Sequence, residues 1–575
     1  MSAPASRWVF KETDADLPLM ASVLGIDEIA ARVLANRGIR TKNTALAFLH
    51  PERAAFHDPL RMKGAEAALA RIARAIAEGQ KIVIYGDYDV DGIMSTVIMV
   101  RVLTRLGGDV SYYIPHRMEE GYGLNHAAID YLVADGVQLL VTVDNGIAAV
   151  AEIAAAQAAG MDVVVIDHHE PGEALPPAAA LVDPKQPGCE YPFKELCAAA
   201  MVYKLCGALC AKINTPYTEE AEMCALAAIA SLCDIVEARD ENRTLIVRGL
   251  AVLNANKLLN PGLGTLITQR GYLDKIIDAH AVGFVLGPCL NATGRLESAE
   301  ISVDLLLAAD IDSRVALAQD LIALNDARKD LTKECVDRAL AQLPDPLPPV
   351  LVLTDEHAHE SVAGIVAGRI RDNTGRPTIL LTPGEGAMKG SGRSIPAYNL
   401  FEAMQAHRAL FTRFGGHAAA AGLTLPEENI PLLRDALNRD CTLTEADFCP
   451  TFDIECVLDA DDITLALSRE LEKLAPFGKG NPAPLFATYD LQVEAIRDLP
   501  EKNTLIFTFK TPTNRRVKGI AFGLNDAYTA ARMAAGVTTP HGYALHVVYR
   551  IETNAYNGIL SVQMGIKDFI FPPVQ

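Results

Sequence analysis

From Lys81 onward two kinds of segment alternate, and this alternation constrains the fold more than any other feature of the chain. Short runs rich in β-branched residues, KIVIY, VSYYI, QLLVTV and DVVVID, are separated by helical stretches such as IMSTVIMVRVLTRLG and AAVAEIAAAQAAG. Strands that recur between helices belong to a parallel sheet with crossover helices, so the expected fold class is α/β with a doubly wound sheet. A chain of 575 residues is too long for one growing core, and about three to five domains are expected. Residues 1–75, with IDEIAARVLANRGI and TALAFLHPE, read as a helical segment, 76–240 as the doubly wound domain and 241–342 as a helical connector. The proline-stiffened LPDPLPP then leads into a smaller α/β domain at 343–445, with PVLVLT and PTILLT as strands. Residues 446–575, where TLIFTFK, RRVKGIAF, YALHVVYRI and ILSVQMGIKDF follow one another with little helix, read as a small β-barrel.

Composition excludes several classes. No uninterrupted apolar run reaches the roughly 18 residues of a membrane span; Glu152 and Gln157 break the longest alanine-rich stretch. The N-terminus has no basic stretch followed by an apolar one, so no secretory signal is expected and the cytoplasm is the default location. Eleven cysteines include no CxxC pair, which favours buried thiols over disulfides or zinc. A net charge of -20 argues on its face against nucleic acid. A phosphate, however, feels its own groove rather than the average surface, and bound cations reverse the sign of a carboxylate-rich site.

Such a site is visible at the strand ends. In an open parallel sheet ligands bind beyond the carboxyl ends of the strands. There the chain places Asp87, Asp89 and Asp91 (GDYDVDG), Asp144 (TVDNG), and Asp167, His168 and His169 (VIDHHE). Any one of these aspartates could be a turn or cap residue. Together they would repel one another unless a cation neutralised them. Mixed carboxylate and imidazole donors, too many for one ion and without cysteine, point to two ions, Mn2+ or Mg2+. Such a pair catalyses phosphoester hydrolysis.

In their order and spacing, DYDVDG, TVDNG, DHH and SLCDIV resemble the DHH phosphoesterase superfamily. The resemblance implies a two-metal site with Asp89, Asp91, Asp144, His168 and Asp234 as ligands and Asp144 bridging. Asp87, Asp167 and His169 are carried over as catalytic groups that support the ligands or face the substrate. Asp234 enters by resemblance alone, since AAIASLCDIV by itself reads as a buried helix ending in an aspartate. The later motifs GPCLNATGRL, GSGRSIPAYNL, FGGHAAAAGLTL and LAPFGKGNPAPLF resemble the single-stranded-DNA exonucleases of that superfamily, from about residue 75 to the end. That likeness implies 5′ to 3′ release of mononucleotides in DNA repair and recombination, by a monomer that works with a single-strand-binding protein and a helicase.

Substrate contacts are expected at Ser391, Gly392 and Arg393, at Gly415, Gly416 and His417, and at Arg117 and Arg295. Glycines admit close backbone approach and a guanidinium matches phosphate. Tight turns and surface salt bridges are the plain alternatives. The barrel resembles an OB-fold, in which Phe507, Phe509, Lys510, Arg515, Arg516 and Lys518 suit a single strand, although alternating aromatics are more often core. Two departures stand out. Cys289 replaces a basic residue common in these exonucleases, and Ala358 and Glu360 flank His359, which is assigned no catalytic role. Competing readings are a phosphodiesterase for short oligonucleotides or cyclic dinucleotides, and an inactive scaffold. The C-terminal barrel speaks against the first and the intact ligand set against the second.

Overall fold

The β-rich runs after Lys81 form strands, and their order explains why polar residues collect at one rim. In the computed structural model, which describes residues 6–572 except 118, 122, 385 and 557, the strands Asp109–Tyr113, Lys81–Tyr85, Leu139–Val143, Asp162–Ile166 and Ala180–Val182 lie side by side in that order. All are parallel. The chain passes from Lys81–Tyr85 outward to Asp109–Tyr113 and then crosses back to Leu139–Val143 on the other side. The winding therefore reverses between strands 81–85 and 139–143, and a ligand crevice opens at such a reversal.

Both sheet faces are filled. Ile82, Ile84, Val141, Val164 and Ile166 point into one apolar layer, shared with helices Ala65–Ala77, Val90–Arg105, Ala198–Lys212 and Glu220–Cys233. Val83, Tyr85, Leu140, Val163 and Val165 point into the other, against helices His126–Ala134 and Val150–Ala158. Each buried Val or Ile contributes about 1.5–3 kcal/mol, so the carboxylates of these motifs gather in the loops beyond the strand ends. This sheet belongs to one of two compact units, formed by residues 50–332 and 476–481.

The other unit comprises residues up to 49, 333–475 and 482 onward. It contains a sheet ordered Arg413–His417, Ala420–Leu425, Met388–Arg393, Thr378–Pro383 and Leu351–Thr354, with only the last pair parallel. It also contains a closed barrel. Strand Phe486–Leu499 pairs with Thr504–Lys510 on one side and Tyr543–Tyr556 on the other, and Arg516–Phe522 and Ile559–Ile570 complete the circuit.

Two features differ from the sequence reading. The first 75 residues are not one helical segment: Arg7–Phe10 is a strand paired parallel with Thr451–Ile454, and Trp8 Nε1 donates to Asp568 at 2.6 Å. Residues 6–49 thus pack with the barrel's unit, while helix Ala65–Ala77 covers the parallel sheet. Secondly, Pro476–Asn481, inside the motif LAPFGKGNPAPLF, belongs to the parallel-sheet unit. Among the described residues no helix is long and apolar enough to cross a membrane.

Candidate metal centre

Each strand end fixes its carboxylates by a local device. Asp89 is the N-cap of helix Val90–Arg105, its Oδ1 accepting from the backbone N of Asp91 (2.9 Å) and Gly92 (3.2 Å). Asp91 is buried, and its two oxygens accept from Ala198 N (2.7 Å) and Ala199 N (2.8 Å) at the start of helix Ala198–Lys212, where the helix dipole favours an anion. Asp144 follows its strand with φ at 64°, a left-handed backbone that aspartate tolerates better than most residues. Asp234 caps the C-terminus of helix Glu220–Cys233.

These devices bring the expected ligands together. Donor atoms of Asp87, Asp89 and Asp144 lie within 4.8 Å of one another, as do those of Asp91, His168 and Asp234, and those of Asp144, His168 and His169. Asp144 and His168 are each common to two groups. His168 Nε2 stands 3.1 Å from Asp144 Oδ1 and 3.7 Å from Asp91 Oδ2, and its Nδ1 stands 3.9 Å from Asp234 Oδ2. Asp87 Oδ1 is buried and meets no hydrogen-bond donor among the described residues.

The electrostatics call for a counter-charge. Burial and then the neighbouring carboxylates push Asp87 and Asp144 well above the usual range. Burial, Asp91 and Asp89 push Asp234 up to about 8, with His169 and Lys479 acting against them. Burial also pushes His168 down, toward the neutral imidazole that can ligate a metal. An orphaned carboxylate oxygen, crowded anions and a donor set of oxygen with imidazole fit hard divalent cations.

Asp167 has a different place. Its oxygens accept from Ile147 N (2.9 Å), His168 N (2.7 Å) and His169 N (3.2 Å) and pair with His169 Nδ1 (2.7 Å). These bonds occupy the carboxylate, so it holds the loop and aims the ring of His169. Burial opposes the charge on His169, but the bond to Asp167 wins and pushes it up to about 9. His169 is 45% exposed, at the rim of the cluster.

Cations stand on one side. The Arg117 guanidinium lies 4.9 Å from the centre of the Tyr88 ring. Arg295 reaches the same place because helix Gly287–Leu296 abuts the aspartate loop. Asn291 Oδ1 accepts from Val90 N (3.1 Å), and a Cβ on Gly294 would come within 2.3 Å of Tyr88 O. Burial and then the charges of Arg117 and Arg328 lower Arg295 to about 10. Arg328 has no signal in the sequence; its helix carries no motif, and only folding brings it beside Arg295. Cys289 is buried with Sγ toward Val285 O (3.2 Å), facing the core rather than a phosphate.

In the other unit, Ser391, Arg393 and His417 share one sheet face. Register aligns Ser391 with Gly422 and Gly415, and Arg393 with Ala420 and His417. Glycine and alanine between them leave a shelf with no bulky side chain. Arg393 Nη1 donates to Ser391 Oγ (3.0 Å) and Gly392 O (2.8 Å). His359 is the N-cap of helix Glu360–Thr374, with Nδ1 2.6 Å from Ser361 Oγ. In the barrel, Phe507 and Phe509 are buried and stacked at 5.3 Å, so they form core and not a base platform. Arg515 donates to the carbonyls of Ala460, Asp461 and Ile463 (3.0, 3.0 and 2.7 Å), and Arg516 is paired with Glu494 at 2.5 Å. Lys510 and Lys518 remain exposed.

A doubly wound sheet that gathers DYDVDG, VDN, DHH and a helix-capping aspartate at its winding reversal defines a DHH phosphoesterase. Residues 81–230 match the DHH family, N-terminal domain, residues 347–442 the DHHA1 domain, and residues 454–568 the RecJ OB domain. Across 99% of its length the chain is 37% identical to the single-stranded-DNA-specific exonuclease RecJ of Bacillus subtilis (strain 168), covering 71% of that protein. The chain belongs to the RecJ family. Crystal structures of RecJ from Thermus thermophilus are similar to it over 99% of its length. The Mn2+ complex has a TM-score of 0.83 at 30% identity and 80% coverage of that chain. The Mg2+ complex has a TM-score of 0.77 at 28% identity and 79% coverage.

Proposed function

We propose that this chain is a single-stranded-DNA exonuclease that uses two divalent ions, Mn2+ or Mg2+, and releases mononucleotides from the 5′ end. The observation that carries the proposal is the sharing of Asp144 between donor groups. Asp87, Asp89 and Asp144 would hold one ion and Asp91, His168 and Asp234 the other, and Asp144 Oδ1 lies 3.1 Å from His168 Nε2 of that second group. Asp87, read from the sequence as a supporting group, joins the ligands here because its buried Oδ1 has no donor among the described residues.

Bound there, the ions supply Lewis acidity that acidifies water and offsets charge on the phosphoryl oxygens. The chain's residues do the rest. Asp167 fixes the His169 ring through Nδ1 and keeps it protonated, so Nε2 can give a proton to the leaving O3′ as the P–O3′ bond breaks and the water oxygen joins phosphorus. Arg117 and Arg295 hold phosphate oxygens on the Asp89 side. The shelf of Ser391, Arg393 and His417, with the backbone of Gly392, Gly415 and Gly416, receives the terminal 5′-phosphate. The barrel's exposed Lys510, Lys518 and Phe522 attract the strand locally despite the net charge of -20. By family resemblance the working form is a monomer that acts in repair and recombination with a helicase and a single-strand-binding protein.

Digestion of 5′- and 3′-labelled oligonucleotides, single- and double-stranded, tests the reading. With Mn2+ or Mg2+ the 5′ label should appear at once as a mononucleotide, while duplex and chelated samples stay intact. Early loss of the 3′ label, or internal cutting, overturns it.

A further inference from the structure

Pro476–Asn481 follows the helix Leu465–Glu472 in sequence and leads to the first barrel strand, yet it packs into the parallel-sheet unit. It forms a tight turn. Gly478 and Asn481 exchange backbone hydrogen bonds of 2.9 and 3.1 Å, Gly480 has φ at 75°, and buried Asn481 donates Nδ2 to Pro476 O at 2.7 Å. The turn docks through its backbone: Ala238 N donates to Lys479 O at 2.7 Å, and buried Arg243 donates to Pro476 O at 3.4 Å. A Cβ on Gly480 would lie 3.1 Å from Glu237 Cβ. The turn thus rests on the residues just after Asp234.

Docking uses no part of the Lys479 side chain. That side chain is exposed on a turn whose backbone is bonded to Ala238, four residues after Asp234, and among the described residues it forms no salt bridge. Cations held by Asp234 and its neighbours would repel an ammonium at this position. An anion that touches both would hold it there. Arg117 and Arg295 flank Tyr88, on the side of Asp87 and Asp89, whereas the turn that carries Lys479 rests on Glu237 and Ala238, just after Asp234. A strand entering the centre therefore meets cations at two separate places.

We infer that Lys479 is a substrate contact of the exonuclease, holding a backbone phosphate next to the scissile one. The inference rests on the exonuclease reading and adds a residue to it. Gly478, Gly480 and Asn481 shape the turn that brings this ammonium, from a distant part of the chain, to the residues just after Asp234.

The full-length protein with Lys479→Met and Lys479→Arg tests this on a 5′-phosphorylated 20-mer of thymidylate in Mn2+, with kcat and KM followed against salt. Lys479→Met should bind Mn2+ and melt as wild type does. Its KM should rise about tenfold, the loss expected for a charged hydrogen-bonded contact. The slope of log KM on log salt should flatten by about 0.7, the effect of one phosphate contact on a single strand. Lys479→Arg should restore most of both. Unchanged KM and slope in Lys479→Met overturn the inference, as does a rise in KM accompanied by lost Mn2+ binding, which would mark a structural role. A 20-mer left intact by the wild-type protein would instead overturn the exonuclease reading, and this inference with it.

Discussion

Asparagine at position 144 tests the shared ligand in both metal states. With φ at 64°, an alanine there would add backbone strain of about 1–2 kcal/mol. Asparagine tolerates this backbone and keeps an oxygen for His168 Nε2, now 3.1 Å away, so Asp144→Asn removes one charge and little else. With ions bound, both donor groups lose their common carboxylate. A Lewis-acid contribution of several kcal/mol, at about 1.4 kcal/mol per tenfold in rate, puts the loss of kcat near a thousandfold. Without ions the sign reverses. Burial, then Asp91, Asp89, Asp87 and Asp167, raise the Asp144 carboxyl. A carboxyl raised in the folded state stabilises the fold at low pH and loses that contribution as pH climbs through the raised value. Chelated wild type at pH 8 therefore carries a penalty that Asp144→Asn lacks. Relief of about 1–2 kcal/mol corresponds to melting about 2–8 °C higher, with the gap closing toward pH 5. Thermal melts at pH 5 and 8, in chelator and in Mn2+, read this out beside kcat. A variant that melts below wild type in chelator at pH 8, or gains as much from Mn2+, would refute the reasoning.

Asp167→Asn should bind Mn2+ normally but lose about 10- to 100-fold in kcat, because His169 loses the group that orients it. The alkaline limb of its pH profile should move to lower pH, since His169 is no longer pushed up to about 9; an unmoved limb would exclude His169 as proton donor. Arg393→Ala should keep its metals yet lose the preference for a 5′-phosphate, with a cost of about 1.5–3 kcal/mol. An unchanged ratio of rates on 5′-phosphorylated and 5′-hydroxyl strands would move end recognition to Arg117 and Arg295. Chelated wild type should lose stability as pH rises through about 8, where the Asp234 carboxyl ionises, and Mn2+ binding at pH 7 should release protons. Calorimetry in two buffers of different ionisation enthalpy measures that release, and its absence would contradict the raised carboxyls.

The metal centre is readable because its signals are local. Each β-rich run ends in its polar residues within a few positions, and one parallel sheet sends all those ends to one rim. Backbone geometry is not readable: nothing in TVDNG announces that Asp144 has left-handed φ, or that Asp167 engages four donors. Long-range placement is hidden too. Arg7–Phe10 is too short a run to stand out, and its partner strand lies at Thr451–Ile454. The motif containing Lys479 is recognisable, but the sequence does not tell that its turn docks beside Asp234. In the barrel, period-two alternation leaves Phe507 and Phe509 open between core and platform, and burial decides for core.

Anomalous diffraction from crystals grown with Mn2+ tests the central claim most directly. Two manganese peaks about 3.5–4 Å apart are expected, with Asp87 and Asp89 at one, Asp91, His168 and Asp234 at the other, and an Asp144 oxygen on each. A single peak, or two peaks of which Asp144 touches only one, would contradict it.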